Sequence, residues 1–253
     1  MRIVTWNVNS IGARLPRLIP WLEETAPDIV ALQETKCAAG AFPYLPVQAL
    51  GYEALAAGDG RWNGVAILSK LGIADPVIDL PGHPEPRVAA AQCGPLHVTS
   101  VYVPNGRSLE DPHYAYKLDW LASLRAGLDG VDPAEPRVIM GDFNVAPTDD
   151  DVFNIAAFAG STHVTPAERA AVQALVDWGL SDVRARPGKG DRPFTYWDYR
   201  AGMFHKDLGM RIDLVLATAS VRVDDAYVDR EARKGKGPSD HAPVVVDVDI
   251  AGT

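Results

Sequence analysis

Apolar residues in this chain gather into short runs, most of them rich in β-branched side chains and closed by Gly, Pro, Asn or Asp, which is the pattern of strands. Seven such runs stand out: 2–8 (RIVTWNV), 28–34 (DIVALQE), 64–70 (GVAILSK), 97–103 (HVTSVYV), 137–141 (RVIMG), 212–217 (IDLVLA) and 242–250 (APVVVDVDI). The last alternates toward its end, as a strand with one wet face does. Helical spacing appears in three places. Over 14–25, Leu15, Leu18, Ile19 and Leu22 fall at i, i+3, i+4 and i+7, with Pro20 inside the run. Over 113–128, Leu121, Leu124 and Leu128 share a face. The third helix begins at Thr165, where Pro166 takes the first helical position and Glu168 completes a capping box. Val172, Leu175 and Val176 form its apolar face, and Gly179 is its stop.

Strands outnumber helices and do not alternate strictly with them. That argues against a doubly wound parallel sheet and for an α/β architecture in which two sheets pack together with helices outside. No repeat, low-complexity segment or linker interrupts the chain, so residues 1–253 are read as one domain. The 47% hydrophobic content is enough for a sizeable core. No apolar run approaches the roughly 20 residues that span a bilayer. The opening MRIVTWNVNS is too short in uncharged residues for a secretory segment. The expectation is a soluble, cytoplasmic protein, monomeric and without a membrane partner. Cys37 and Cys93 read as plain thiols, and no CxxC or paired-His zinc spacing occurs.

A net charge of −9 argues at first sight against a polyanionic partner. The charge is uneven, however. Residues 184–211 hold seven Arg or Lys against three Asp, and 230–236 (REARKGK) hold four against one Glu, while 142–151 is purely acidic. The total decides nothing by itself.

Polar residues at strand ends change the picture. Asn7 closes the first run, Glu34 the second and Tyr102 the fourth; Asp142 and Asn144 follow RVIMG; Asp213 opens a later strand; Asp240 and His241 precede the last. Each alone is ordinary turn chemistry, except Glu34, which is a poor turn residue. Together they fit a common way of building a site, with reactive groups at the ends of rigid strands. If they converge, Glu34, Asp142, Asp213 and Asp240 crowd four carboxylates into one pocket. Two like charges 4 Å apart repel by about 4 kcal/mol at an effective dielectric near 20. Cations, protons or hydrogen bonds must relieve that repulsion. An oxygen-rich, thiol-free set favours Mg2+ or Mn2+ over zinc. With His241 oriented by Asp213, the chemistry indicated is metal-assisted hydrolysis of a phosphate ester.

In chain order, WNVNS, LQETK, YVPNG, GDFNVAP, RIDLVL and SDHAPV resemble the exonuclease III family of AP endonucleases, part of the wider endonuclease/exonuclease/phosphatase superfamily. The resemblance runs from residue 1 to about 249. GDFN and SDH are shared across the superfamily; LQETK, RIDLVL and FTYWDYR are more particular to its DNA-repair branch. The resemblance implies a DNase I-like four-layer α/β sandwich, two mixed sheets packed face to face with helices outside. It also implies a Mg2+-dependent DNA phosphodiesterase of base-excision repair. Such an enzyme is a 3′→5′ exonuclease that also incises 5′ to abasic sites and leaves a 3′-hydroxyl. Its partner would be double-stranded DNA, abasic or 3′-blocked.

Carried over by position, Asn7 and Glu34 hold the metal and Asp240 supports it. Asp142 orients and deprotonates water, with Asn144 beside it; Tyr102 and His241 contact the scissile phosphate, and Asp213 pairs with His241. Asn9 stands where some relatives have an Asp near the metal. Tyr196 and Ile212 become walls for a flipped-out abasic sugar, with Trp197, Met210 and Arg211 alongside. Relatives often carry Phe or Trp at Tyr196 and a larger aromatic at Met210. The loop AGSTHVTP lacks the Asn residues some relatives use near the phosphate, leaving Ser161 and His163 in their place. Arg61, Lys206, Arg211 and the 230–236 run would steer DNA, giving salt-sensitive binding. Two other readings stay open: a superfamily phosphatase acting on a small molecule or lipid, and a non-catalytic DNA-binding protein. Each motif position carries a group competent for its role, which argues against the second.

Overall fold

All seven apolar runs fold as strands in the computed structural model, which describes residues 1–250. In chain order the first half contains β1 (Arg2–Asn7), α1 (Ile11–Thr25), β2 (Ile29–Gln33), α2 (Tyr44–Gln48), β3 (Glu53–Ala57), β4 (Val65–Ser69), β5 (Ala74–Val77), β6 (Val88–Cys93) and β7 (Leu96–Tyr102). The second half contains α3 (Pro112–Ala126), β8 (Arg137–Asp142), α4 (Pro166–Trp178), β9 (Leu180–Asp182), α5 (Met203–Lys206), β10 (Asp213–Thr218), β11 (Val221–Val228) and β12 (Val244–Ile250).

Two six-stranded mixed sheets result, with orders β11-β12-β1-β2-β4-β3 and β5-β6-β7-β8-β10-β9. Their inner faces meet in one apolar layer that includes Ile3, Ile29, Ile67, Ala89, Ala91, Val98, Met140, Val215 and Val246. Helix α1 covers the outer face of the first sheet through Leu18, Trp21 and Leu22. Helices α3 and α4 cover the second through Trp120, Leu121, Leu124, Val172 and Leu175. This is the expected four-layer sandwich.

The three expected helices form with their signals in use. Thr165 accepts from the Glu168 amide while the Glu168 carboxylate returns to Thr165, and Gly179 takes φ 134° at the stop. Helix α1 tolerates both Pro16 and Pro20 because Gly12, Pro16 and Pro20 form one exposed stripe. The carbonyls left without an amide partner there face water.

Five strands lacked a readable pattern: β3, β5, β6, β9 and β11. Strand β6 reads VAAAQC, a helix-prone composition, yet Ala89 and Ala91 lie in the layer between the sheets, where little room remains. Strands β3, β5, β9 and β11 are edge strands. Edges need no continuous apolar run, and β11 also carries a bulge beside Asp224.

The topology places the polar strand ends together. Parallel pairs β1–β2 and β7–β8 end at the same rim of the sandwich, and β12 and β10 start there because they run antiparallel to β1 and β8. Asp142 is therefore the register partner of both Tyr102 and Asp213. Gly141 is required just before it. A Cβ at that position, with φ 152°, would lie 2.0 Å from the Val101 carbonyl oxygen. The β8 strand can leave the core there only without a side chain.

Candidate active site

Asn7 is fully buried and links the two sheets. Its Nδ2 donates to Glu34 Oε1 at 2.9 Å and to Asp142 Oδ2 at 3.0 Å, and its Oδ1 accepts from the Asn9 amide at 3.0 Å. Asp142 Oδ1 accepts from the Asn144 amide at 2.9 Å. On the other side, His241 Nδ1 lies 2.8 Å from Asp213 Oδ2, and His241 Nε2 lies 3.8 Å from Asp142 Oδ2. Glu34, Asp142 and His241 each present one ligand atom within 4.8 Å of the others. Asp240 stands across the pocket and accepts from Asn9 Nδ2 at 3.0 Å. The pocket, about 240 Å3, is also lined by Tyr102, Asn105, Asn144, His163, Tyr196, Met210 and Ile212. A larger cavity, about 650 Å3, opens elsewhere between α1 and β11, with none of these groups in its wall.

Backbone strain gathers around this rim. Asn9, Ser10, Glu34, Lys36, Asn144 and His163 all take positive φ between 43° and 86°. Such residues persist where surrounding contacts over-determine them, and they cluster at functional sites. Lys36 supplies one such contact, 2.8 Å from Glu34 Oε2 and donating to Asn9 Oδ1 at 2.5 Å.

The local charges are strongly coupled. Burial would raise the Glu34 carboxyl, but the Lys36 ammonium and the Asn7 amide more than reverse this and hold it below the usual range. Asp142 is pushed up to about 7 by burial, opposed by the His241 charge and reinforced by Asp213 and Glu34. For His241, burial favours the neutral ring, but Asp213, Asp142 and Asp240 override it and push the imidazole up to about 10. Burial, then Glu34 and Asp142, lift the Tyr102 phenol well above 10, so it remains a hydrogen-bond donor. His163 is lowered to about 4 by burial and the nearby Lys117 charge, so its ring is neutral. Its Nε2 lies 3.2 Å from Asn105 Nδ2 and 3.3 Å from Asn144 Oδ1.

The fold favours the charged form of His241. Its folded-state pKa lies above the ordinary value of 6.5, so the ion pair with Asp213 stabilises the fold fully below 6.5 and is lost as pH rises through about 10. In EDTA, ring-nitrogen NMR at pH 8 is expected to show a charged His241 imidazole. A neutral ring at that pH would contradict the geometry.

The structure brings Asn7, Glu34, Tyr102, Asp142, Asn144, Asp213, Asp240 and His241 to one place, with Tyr196, Met210 and Ile212 as its apolar wall. Tyr196 also packs on the His241 ring at 4.9 Å. Asn9 lies at the rim as a bridge between Lys36 and Asp240.

Other expected contacts fall elsewhere. Arg211 is 2% exposed, its guanidinium taken up by Asp151 and Asp182 at 2.7–3.1 Å, so it neither lines the pocket nor steers DNA. Trp197 is 1% exposed and packs on Phe204 in the core, with Nε1 donating to Asp207 at 3.2 Å; it is not a substrate wall. Within the 230–236 run, Arg230 and Arg233 are buried, and only Lys234 and Lys236 present basic charge outward. Ser161 faces a separate apolar cavity with Leu109, Phe158 and Val164. Asn105, which lines the pocket, carried no strand-end signal beyond its place in YVPNG.

A sandwich rim that gathers carboxylates, a carboxamide, a phenol and an aspartate-held imidazole is the arrangement of a phosphoesterase. The chain belongs to the endonuclease/exonuclease/phosphatase family, whose profile matches residues 4–241. It is 32% identical to the exodeoxyribonuclease III of Haemophilus influenzae, over 96% of this chain and 98% of that protein. The structure of an AP endonuclease from Archaeoglobus fulgidus superposes with a TM-score of 0.94 at 36% identity, covering 99% of this chain and all of that one (100%). A 3′ phosphatase from Neisseria, NExo, solved with a product DNA hairpin, superposes with a TM-score of 0.92 at 36% identity, covering 98% and 99% of the two chains.

Proposed function

We propose that the chain is an exonuclease III-like nuclease, a hydrolase of DNA phosphodiester bonds that incises 5′ to abasic sites and trims 3′ ends. The observation that carries this reading is the meeting of two opposed units on Asp142. One is the Asn7–Glu34 pair and the other the His241–Asp213 pair, with the Tyr196, Met210 and Ile212 wall beside them.

Asp142 is the base. Its buried carboxylate, poised about 7, is suited to taking a proton from an attacking water near neutral pH. His241, held charged by Asp213, offers Nε2–H to a phosphoryl oxygen, and Tyr102 offers its phenol to another. Asn144, locked to Asp142 through its backbone amide, completes the floor. Water bonds to phosphorus as its proton passes to Asp142 and the P–O3′ bond breaks; the departing 3′ oxygen takes a proton from solvent, leaving a 3′-hydroxyl on one side and a 5′-phosphate on the other. A baseless sugar needs no unstacking of a base, and the small apolar wall suits it.

The donor set fits a hard cation. Glu34 and Asp142 offer carboxylate oxygens, no cysteine lines the pocket, and the His241 imidazole beside them is protonated rather than free to ligate. Glu34 would hold Mg2+, or Mn2+, and Asp240 would support it; Asn7, whose Nδ2 rather than Oδ1 faces Glu34 and Asp142, would orient the Glu34 carboxylate. A cation bound there would neutralise charge at the phosphate and would favour the ionised form of the Asp142 carboxyl. Exposed Arg61, Lys206, Lys234 and Lys236 favour double-stranded DNA despite the net charge of −9.

Purified protein with an abasic-site duplex and Mg2+ is expected to give a single nick ending in a 3′-hydroxyl. No nick, together with phosphate release from an inositol phosphate, would overturn this in favour of a small-molecule phosphatase.

A further inference from the structure

Beneath the pocket floor lies a charge that the reaction above does not use. Lys117, on α3, is fully buried beside Glu168 on α4. Its Nζ donates to Glu168 Oε1 at 2.5 Å and to the Asn144 carbonyl at 2.6 Å, and reaches the Asn105 carbonyl and Thr162 Oγ1 at 3.3 Å each. Glu168 in turn accepts from the His163 backbone amide at 2.9 Å and from Thr162 Oγ1 at 2.5 Å. The pair therefore fastens three loops that belong to different elements: the one after β7, the one after β8 and the one before α4. Each loop carries a pocket residue, Asn105, Asn144 and His163 respectively.

A buried ion pair is a poor device for stability alone. Desolvating two charges offsets much of their attraction, and apolar residues of similar size often serve as well. What an ammonium offers is three donors aimed in different directions, which a methionine or leucine cannot match. The backbone here needs such holding. Asn144 and His163 both sit at positive φ, 50° and 81°, a conformation unfavourable to residues with a Cβ. Lys117 holds the carbonyl of the first and Glu168 the amide of the second. Gly106 lets the loops close up: a Cβ there would lie 2.6 Å from Thr162 Oγ1 and 3.2 Å from Lys117 Cδ.

We infer that Lys117, with Glu168, is a positioning residue for the phosphodiester reaction: from below, it seats Asn105, Asn144 and His163 around the reacting phosphate. The inference rests on the nuclease reading, and its effect falls on turnover more than on DNA capture. Small misplacement of catalytic groups costs on the order of 10²-fold.

The test is Lys117→Met/Glu168→Gln, which removes both charges and strands neither, while Gln keeps the capping box. Steady-state kinetics on an abasic duplex, at a temperature where circular dichroism shows each protein folded, are expected to show kcat lowered about 10- to 100-fold with KM within about threefold. Equal kcat with only a lower melting temperature would reduce the pair to a structural role and overturn the inference. Should the double variant fail to fold, Lys117→Arg keeps the charge but offers a planar fork instead of three tetrahedral donors. It is held to the same split, and wild-type kcat there overturns the inference equally. Side-chain amide resonances of Asn105 and Asn144 provide a reading independent of turnover. They are expected to shift in the variants, and unchanged resonances also overturn the inference. Wild-type protein that failed to nick would count against the nuclease reading instead, with the resonances still deciding the positioning.

Discussion

An Asp142→Asn protein is expected to hold DNA and not cut it. The substitution keeps the shape of the β8 terminus and an oxygen for the Asn144 amide; its new amide nitrogen faces Asn7 Nδ2 and forfeits that one hydrogen bond, a cost of about 1–3 kcal/mol that a chain held by two full sheets should bear. It removes the only group in the pocket placed between the Asn7–Glu34 pair and the charged His241 ring and poised about 7. Loss of a positioned general base lowers turnover by roughly 10²- to 10⁴-fold. Binding should move the other way, if at all. The pocket already concentrates Glu34, Asp142, Asp213 and Asp240, and one fewer carboxylate means less repulsion of an incoming phosphate. Single-turnover nicking of an abasic duplex, run beside fluorescence anisotropy in the same buffer, separates the two quantities. Affinity that fell in step with the rate would show that Asp142 serves binding rather than proton transfer.

Glu34→Gln should give the second large effect, of a different kind. Gln keeps a side-chain oxygen for the Asn7 amide and occupies nearly the same volume. It gives up the charge that attracts a divalent cation and that pairs with Lys36 at 2.8 Å. Losing even an indirect metal contact costs about 10- to 100-fold in affinity, so loss of a direct carboxylate should cost at least that. Activity at low Mg2+ is therefore expected to fall by about 10²-fold and to recover in part as Mg2+ is raised. The same deficit at every Mg2+ concentration, or full activity without the carboxylate, would take Glu34 out of the metal assignment. Position 34 also holds φ at 51°, so the variant should be compared with wild type for thermal stability before rates are interpreted.

Much of the site was legible because polar residues recur where the apolar runs end. Asp142 and Asn144 just beyond RVIMG are ordinary turn residues taken singly, and it is their repetition at other strand ends that marks a site. Glu34 stands out by itself, as a poor turn residue. Arg211 and Trp197 show where this reasoning misleads. Each neighbours a pocket residue in sequence, Ile212 and Tyr196, but alternate positions of an extended segment point to opposite faces. Trp197 thus enters the core with Phe204, and Arg211 turns to Asp151 and Asp182. Lys117 was hidden by its chemistry, since a lysine on an amphipathic helix is ordinarily solvated surface. Only its approach to Glu168, contributed by another helix, distinguishes it.

Strand and helix identities, the capping of α4 and the suspicion of a phosphate-directed site all came from local chemistry: side-chain shape, turn preference and periodic burial act within a few residues of themselves. Pairings were another matter. That β12 runs antiparallel to β1, or that β8 and β10 align Asp142 with Asp213, depends on contacts between segments far apart in the chain. The charge state of His241 depends on three carboxylates, of which Asp213 and Asp142 are remote in sequence. Such long-range terms depend on distances in space, which residue identity alone does not specify, so the protonation pattern, the buried Arg211 and the Lys117–Glu168 brace belong to the tertiary structure.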